Sequence, residues 1–326
     1  MDSSYAYTFV IPIIKNKEFM SNPIVSIIMA AYNREATISR AIDSVLNQNM
    51  TDWELIIIDD CSTDNTCQII NSYLNKDPRI KASFHTKNLH VHSAKNTGFD
   101  LMKGEWFTTL DSDDEMLPTA LSEMLNVLVD IDFTIDAITC NCLDSTTGEY
   151  SGKGLNKDQW LNFETLITKC SGEHWGLTKS TLLGKNRFNC NMRGGAESIL
   201  WWKISHNAKR YYIHKALRIY HTEGDDRLCS KDRKINIYDR VIYYSEMSNE
   251  TEYLELMRKY KPAENTLIMR NISLSKAYLN KKKEARNAYK EIKMQLSFTE
   301  KVAVLIALYG GSIAAKIIIS IALKIR

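Results

Sequence analysis

Residues 24–33 read IVSIIMAAYN, residues 54–60 read ELIIIDD, and residues 106–114 read WFTTLDSDD. Each is a short run rich in branched or aromatic apolar residues that stops abruptly at polar ones. Such a run, lacking polar alternation, predicts a strand covered on both faces. Between the first two runs, Ile38, Ala41, Ile42, Val45 and Leu46 recur at helical spacing. Ile69, Ile70, Tyr73 and Leu74 mark a second helix, Ile80 to Phe84 a third strand, and Ser93 to Met102 a further helix. Pro118 is expected to begin the helix that carries Leu121, Leu125 and Leu128, and Ile135 to Cys140 is expected to be another strand. This alternation predicts an α/β fold with a doubly wound, mostly parallel sheet. Beyond about Ile235 strand signals cease and the sequence becomes helical.

Ligands of such sheets bind outside the carboxyl ends of the strands. Tyr32, Asp60 and the Asp111-Ser112-Asp113-Asp114 cluster all fall at those ends. Acidic residues after a strand often only cap the next helix. Here three carboxylates crowd into four residues on the edge that also carries Asp60. They repel one another unless a cation neutralises them, and an all-oxygen set suits Mg²⁺ or Mn²⁺ that also holds phosphate. Cleavage of a nucleotide-diphosphate sugar needs such an arrangement, because charge grows on the departing diphosphate. The Gly-rich phosphate loops of dinucleotide-binding and P-loop proteins are missing after the first strand, which argues against both classes. A metal-dependent nucleotidyltransferase is the alternative enzyme, although its Gly-rich basic loop is also missing.

Three segments, VSIIMAAYNREATISRAIDSVLNQ (25–48), WELIIIDDCSTDNT (53–66) and AKNTGFDLMKGEWFTTLDSDDEMLP (94–118), resemble in order and spacing the family 2 glycosyltransferases of GT-A fold. The resemblance extends over about Pro23 to Ser230. It implies an inverting transferase in which Ala30, Tyr32, Asp60, Lys95, Asp111, Ser112 and Asp113 bind the nucleotide sugar, expected to be a UDP-sugar, with Tyr32 and Asp60 on the uridine. It also implies a metal, Mn²⁺ or Mg²⁺, held by Asp111, Asp113, Asp114 and His221. Where the family more often has Arg, this chain has Lys95, which keeps the charge but not the bidentate fork. The segment Arg193-Gly194-Gly195-Ala196-Glu197, followed by Leu200-Trp201-Trp202, resembles the family's acidic catalytic motif. That match puts Glu197 in the place of the general base, with Ala196 where the family's Glu-Asp pair begins; the competing role for Glu197 is to favour the positive end of the next helix. His174 falls where relatives place acceptor-site residues. His85, His90 and His92 are expected only to line a loop. The family's processive synthases carry a Q-x-x-R-W motif that is missing here, so a single addition is expected. A catalytically inactive scaffold of the same fold is the non-enzymatic alternative.

The formal charge of +3 conceals an asymmetry. From Lys276 onward there are eleven Lys or Arg against three Glu, a balance of +8, whereas residues 1–275 carry 31 basic against 36 acidic groups, or −5. A basic excess beside an apolar run suits an anionic membrane surface rather than nucleic acid. Val302 to Ile325 is apolar except for Ser312, Lys316, Ser320 and Lys324, and Gly310-Gly311 divides it. The part after the glycines would make roughly 21 Å of helix against a hydrocarbon core of ~30 Å, so an amphipathic helix lying on the membrane is expected. Its removal, from Thr299 onward, is expected to leave the catalytic part intact. The first residues lack a secretory signal pattern, which places the chain in the cytoplasm, on the inner face of the plasma membrane. The acceptor would be a lipid-linked or other glycan. Seven scattered cysteines without a C-x-x-C pair are expected to be small buried side chains rather than disulfides or zinc ligands. The expected divisions are an extension over 1–22, a GT-A domain over 23–235, a helical region over 236–298 and the membrane-associating helix over 299–326.

Overall fold

The decisive apolar runs become adjacent strands. The computed structural model describes residues 22–192, 196–223 and 236–324, with side chains as far as Ile321. Strands β1 (Val25–Ala31), β2 (Trp53–Asp59), β3 (Ile80–Phe84) and β4 (Trp106–Thr109) lie parallel in the order β3-β2-β1-β4. Helices α1 (Ile38–Leu46), α2 (Thr66–Leu74) and α3 (His90–Leu101) form the crossovers. Every residue of β2 is buried, which is why Leu55 to Ile58 form an unbroken apolar run rather than an alternation. The register sets Ala31 beside Asp59 and Ile28 beside Thr109, so the chain leaves β1, β2 and β4 on one edge.

Further strands, in mostly antiparallel pairings, extend this parallel half. The elements are β5 (Glu115–Met116), α4 (Ala120–Asp130), β6 (Ala137–Asp144), β7 (Gln159–Leu161), α5 (Phe163–Lys169), β8 (His174–Lys179), α6 (Ser180–Leu183), α7 (Glu197–Ser205) and β9 (Arg210–Tyr220). The nine-stranded sheet runs β3-β2-β1-β4-β8-β6-β9-β5, with β7 pairing β9. Pro118 does not begin the helix as expected: Glu115 and Met116 first pair with β9, and α4 starts at Ala120.

The chain divides into two compact units, Met1–Phe188 with Ile204–Asp225, and Asn189–Lys203 with Asp226–Arg326. The first holds the sheet. In the second, α8 (Ile237–Met247), α9 (Thr251–Tyr260), α10 (Pro262–Tyr278), α11 (Lys282–Ile292) and α12 (Phe298–Lys324) gather around Val241, Met257, Ile272, Ala285, Ile292, Val304 and Leu308. Pro262 opens α10, where its missing N–H costs nothing and its fixed φ suits the first turn. Helix α12 is interrupted at Gly311, whose φ of 68° is open to glycine without strain.

One face of α12 is not free. Val304, Ala307, Leu308, Ala315 and Ile319 are buried among α8, α10 and α11. Burying a Val, Leu or Ile side chain contributes about 1.5–3 kcal/mol, so deletion from Thr299 would strip the helical core. The expectation of a dispensable tail is therefore corrected. The other face exposes Val302, Ile306, Tyr309, Ile313, Ile317 and Ile321, spaced three or four apart.

Cys140 and Cys142 are buried as expected, whereas Cys61, Cys67 and Cys170 are half-buried and Cys190 is exposed. Residues 1–21, Arg193 to Gly195 of the catalytic-motif match, and residues 224–235 with Cys229 lie outside the described residues.

Candidate active site

The acidic cluster follows β4 and is held by an arginine from the far end of the sheet. Met116 of β5 pairs with Arg218 of β9, which lays the chain just after the cluster alongside that residue. The Arg218 guanidinium then donates from Nη2 to Asp111 Oδ2 at 3.0 Å, from Nε to Asp114 Oδ2 at 2.9 Å, and from Nη1 to Glu173 Oε1 at 3.3 Å. Its side chain is only 4% exposed. A charge so buried requires partners, and the planar fork supplies donors to three carboxylates at once.

Lys95 reaches the same cluster from α3. Gly98, one turn later, faces Ile28 of β1, and a Cβ there would lie 2.4 Å from Ile28 Cγ2. The glycine thus lets α3 press onto the sheet and carry Lys95 to its edge. Lys95 Nζ lies 3.2 Å from Asp111 Oδ1.

The four acidic-motif positions differ sharply. The Asp111 carboxyl is held well below the usual range, chiefly by the charge of Lys95 and then by Arg218. Burial, followed by the negative charge of Asp111, pushes the Asp113 carboxyl up. Burial also raises Asp114, with the Arg218 charge opposing it. Ser112 is buried between them.

Asp114 and His221, both expected as metal ligands, are engaged otherwise. Asp114 accepts from Arg218 and, at 2.8 Å, from the His221 amide. The His221 ring pairs through Nε2 with Glu115 Oε1 at 2.8 Å and through Nδ1 with Glu223 Oε2 at 3.3 Å. Among the described residues no three His, Cys, Asp or Glu side chains gather as a metal cage. Asp111 is also ion-paired, to Lys95 and Arg218; with Asp113 it still offers a carboxylate pair, which suffices for Mg²⁺ or Mn²⁺, since these fill their remaining positions with phosphate oxygens and water. The raised Asp113 carboxyl is the group that gains from a cation, so this reduced donor set fits the metal.

Tyr32 follows β1 and is 42% exposed. Ala30 is half-buried on β1 beside Ile58. Asp60 follows β2, is buried, and donates its amide to the Ala31 carbonyl at 2.8 Å. His174 of β8 lies opposite Asn141 of β6, and burial lowers its imidazole toward the neutral form. Glu197 is the first residue of α7 and belongs to the helical unit.

Sequence reasoning missed Arg218 and misjudged two histidines. An Arg near the end of the strand RYYIHKALRIY was the available signal, since a cation buried in a sheet demands acids nearby. His85 and His92 do not merely line a loop: His85 bonds Asp60, and His92 stacks on Phe188 with ring centroids 5.1 Å apart.

Arg218→Met is expected to lower unfolding free energy by about 3–5 kcal/mol, because removing one partner leaves buried carboxylates uncompensated. Urea denaturation followed by circular dichroism measures it. A change below about 1 kcal/mol would show that the pairing contributes little.

The family model described as Glycosyl transferase family 2 matches residues 26–182. The GalNAc(5)-diNAcBac-PP-undecaprenol beta-1,3-glucosyltransferase of Campylobacter jejuni is 35% identical over 251 residues, covering 75% of this chain and 79% of that protein. Among solved structures, S. aureus TarS 1-349 in complex with UDP-GlcNAc aligns with a TM-score of 0.61 at 16% identity, covering 91% of this chain and 90% of the other. The mannosyltransferase PcManGT from Pyrobaculum calidifontis, in complex with GDP-Man and Mn²⁺, aligns with a TM-score of 0.51 at 16% identity over 96% and 93% of the two chains. These two likenesses concern the fold. The parallel sheet edge that gathers Tyr32, Asp60 and the acidic cluster, together with the extent and identity of the glucosyltransferase match, makes this chain a member of glycosyltransferase family 2, with a GT-A fold.

Proposed function

We propose that this glycosyltransferase moves one sugar from a UDP-sugar, with inversion, to a lipid-linked or other glycan acceptor at a membrane surface. The observation that carries the reading is the charge arrangement after β4, where Asp111 stands between Lys95 and Arg218 beside a partly protonation-prone Asp113. Tyr32 offers an exposed ring for base stacking. The Asp60 carboxylate offers only acceptors, which suits the N3–H of uracil and not the N3 lone pair of cytosine. Ala30 and Ser112 flank the nucleotide on the sheet edge. Asp111 and Asp113 would hold Mn²⁺ or Mg²⁺, and that cation supplies charge neutralisation for the departing diphosphate. Lys95 and Arg218 add positive charge at the same place.

Glu197 serves as general base. It takes the proton of the acceptor hydroxyl as that oxygen bonds the anomeric carbon, and the sugar–diphosphate bond breaks with its electron pair leaving on the diphosphate. His174, kept neutral by burial, belongs to the acceptor side. The Campylobacter glucosyltransferase is named for a polyprenol-linked acceptor, which supports a lipid-linked acceptor here. A nucleotide-sugar panel tests the donor: UDP-sugars with Mn²⁺ should raise the melting temperature above that with GDP- or CDP-sugars, and an equal response to all would contradict the choice.

The exposed apolar stripe of α12, with the basic excess from Lys276 onward, supports peripheral attachment to an anionic cytoplasmic membrane face. Phe298–Ile321 is also long and apolar enough to cross a membrane by length and composition, but its buried inner face supports attachment without crossing. Replacing Ile306, Ile313 and Ile317 by Ser should weaken co-sedimentation with anionic vesicles at least tenfold without unfolding the helical unit. High salt should weaken wild-type binding in part, because screening removes only the electrostatic share. Unchanged sedimentation of the triple variant would rule out this face.

A further inference from the structure

Asp60, the residue read above as the acceptor for the nucleobase, is not held by the sheet alone. Its Oδ1 accepts two hydrogen bonds, from His85 Nδ1 at 2.7 Å and from the Leu89 amide at 2.9 Å. Both donors go to the same oxygen, and among the described residues none goes to Oδ2. A carboxylate clamped in this way has its plane fixed and one oxygen left for a ligand.

His85 is itself fixed from both sides. It follows β3, and its amide donates to the Asp59 carbonyl at 2.9 Å, which ties the end of β3 to the end of β2. Its ring is 10% exposed. The far nitrogen, Nε2, lies 3.0 Å from Thr97 Oγ1 on α3, and that hydroxyl lies 3.1 Å from the Ser93 carbonyl. The Thr97 hydroxyl has one proton to give, either to Ser93 or to His85. In both arrangements the Nδ1 proton points at Asp60, because a carboxylate can only accept. The chain Thr97–His85–Asp60 therefore links helix α3 to the end of β2 through polar groups that are buried at Asp60 and half-buried at His85 and Thr97.

We infer that His85 is a positioning residue for nucleobase selection, holding Asp60 so that its Oδ2 meets a base that offers a donor at the N3 position. The inference rests on the reading of Asp60 as the nucleobase acceptor. An unclamped carboxylate would lose its fixed direction and could turn toward water. Discrimination between uracil, which presents N3–H, and cytosine, which presents a lone pair there, would shrink with it.

The test compares His85→Asn, His85→Gln and Asp60→Asn in the full chain. The Asn amide can stand near the position of Nδ1 and still donate to Asp60, whereas the Gln amide reaches toward the position of Nε2 and Thr97. Calorimetric titration with UDP and with CDP, both with Mn²⁺, gives the affinities, and donor hydrolysis gives kcat and KM. His85→Gln should weaken UDP about tenfold or more, as loss of a charge-assisted hydrogen bond does. It should also narrow the UDP-over-CDP preference, with the loss in donor KM rather than in kcat. His85→Asn should recover most of both. If Asp60→Asn weakens UDP while His85→Gln binds like the wild type, or if the Asn and Gln variants behave alike, the role of His85 is overturned and the reading of Asp60 stands. If Asp60→Asn leaves UDP binding and the CDP preference unchanged, the reading of Asp60 fails and the inference falls with it.

Discussion

Asp113→Asn is expected to lower turnover by roughly three orders of magnitude while leaving thermal stability unchanged or slightly raised. The two signs follow from one cause. Burial and the neighbouring Asp111 charge already push the Asp113 carboxyl up, so ionising it in the folded chain is unfavourable without a cation. Neutral Asn removes that repulsion, which a purely structural carboxylate ion-paired to protein would not allow. What Asn removes from function is one of the two anionic oxygen donors for a divalent cation. Loss of a group that stabilises leaving-group charge costs about 10²–10³-fold in rate, and more where the metal itself is lost. Titration with UDP, with and without Mn²⁺, isolates this effect from acceptor binding. Wild type should bind more tightly with the metal, and Asp113→Asn should lose that difference. Equal metal dependence in both proteins would remove Asp113 from the metal site. The stability half has its own check: a large fall in melting temperature would mean that the Asp113 charge is paired within the protein.

Glu197→Gln is expected to cut kcat by about 10²–10⁴-fold with little change in donor affinity. A general base acts on the acceptor hydroxyl, so the nucleotide should not sense its loss. The competing role is electrostatic. Glu197 opens α7, and an acidic residue in a helix's first turn contributes only about 0.3–1 kcal/mol through the helix dipole. On that role the Gln variant would be slightly less stable and nearly fully active. Single-turnover rates with saturating donor, beside a UDP-sugar dissociation constant from calorimetry, separate the two. Retention of more than about half the rate would assign Glu197 to the helix end and leave the base to be sought elsewhere.

The parallel half of the fold was legible because burial on both faces writes an unmistakable pattern. In the middle of β2, between helices and neighbouring strands, the buried positions are all apolar, so Leu55 to Ile58 announce themselves. The mixed half was legible only at β6, expected from Ile135 to Cys140. Strand β9 mixes Arg210, His214, Lys215 and Arg218 among its apolar residues, and β5 is two residues long. Neither has a period that a single sequence can reveal, and their pairing depends on residues about a hundred positions apart. The site divides in the same way. Asp60 and the acidic cluster were visible because they end strands. Arg218 and His85 were not, since their importance comes from which carboxylates the sheet brings opposite them. The bonds of His221 were hidden in the same way, since its backbone and ring are both engaged by acids next to the cluster, a long-range arrangement that motif spacing does not encode. For α12 the apolar character was plain in the sequence, but its division into a docked and an exposed face needed the positions of α8, α10 and α11.

The central claim is metal-assisted cleavage of a nucleotide sugar at the edge that carries Asp111 and Asp113. Its most direct test is release of nucleoside diphosphate from a panel of nucleotide sugars by the full chain, before and after EDTA treatment and again after Mn²⁺ is restored. The account predicts UDP release from at least one UDP-sugar, lost with EDTA, recovered with Mn²⁺, and reduced to background in Asp113→Asn. Release that persists undiminished in EDTA, or in Asp113→Asn with Mn²⁺ present, would contradict it.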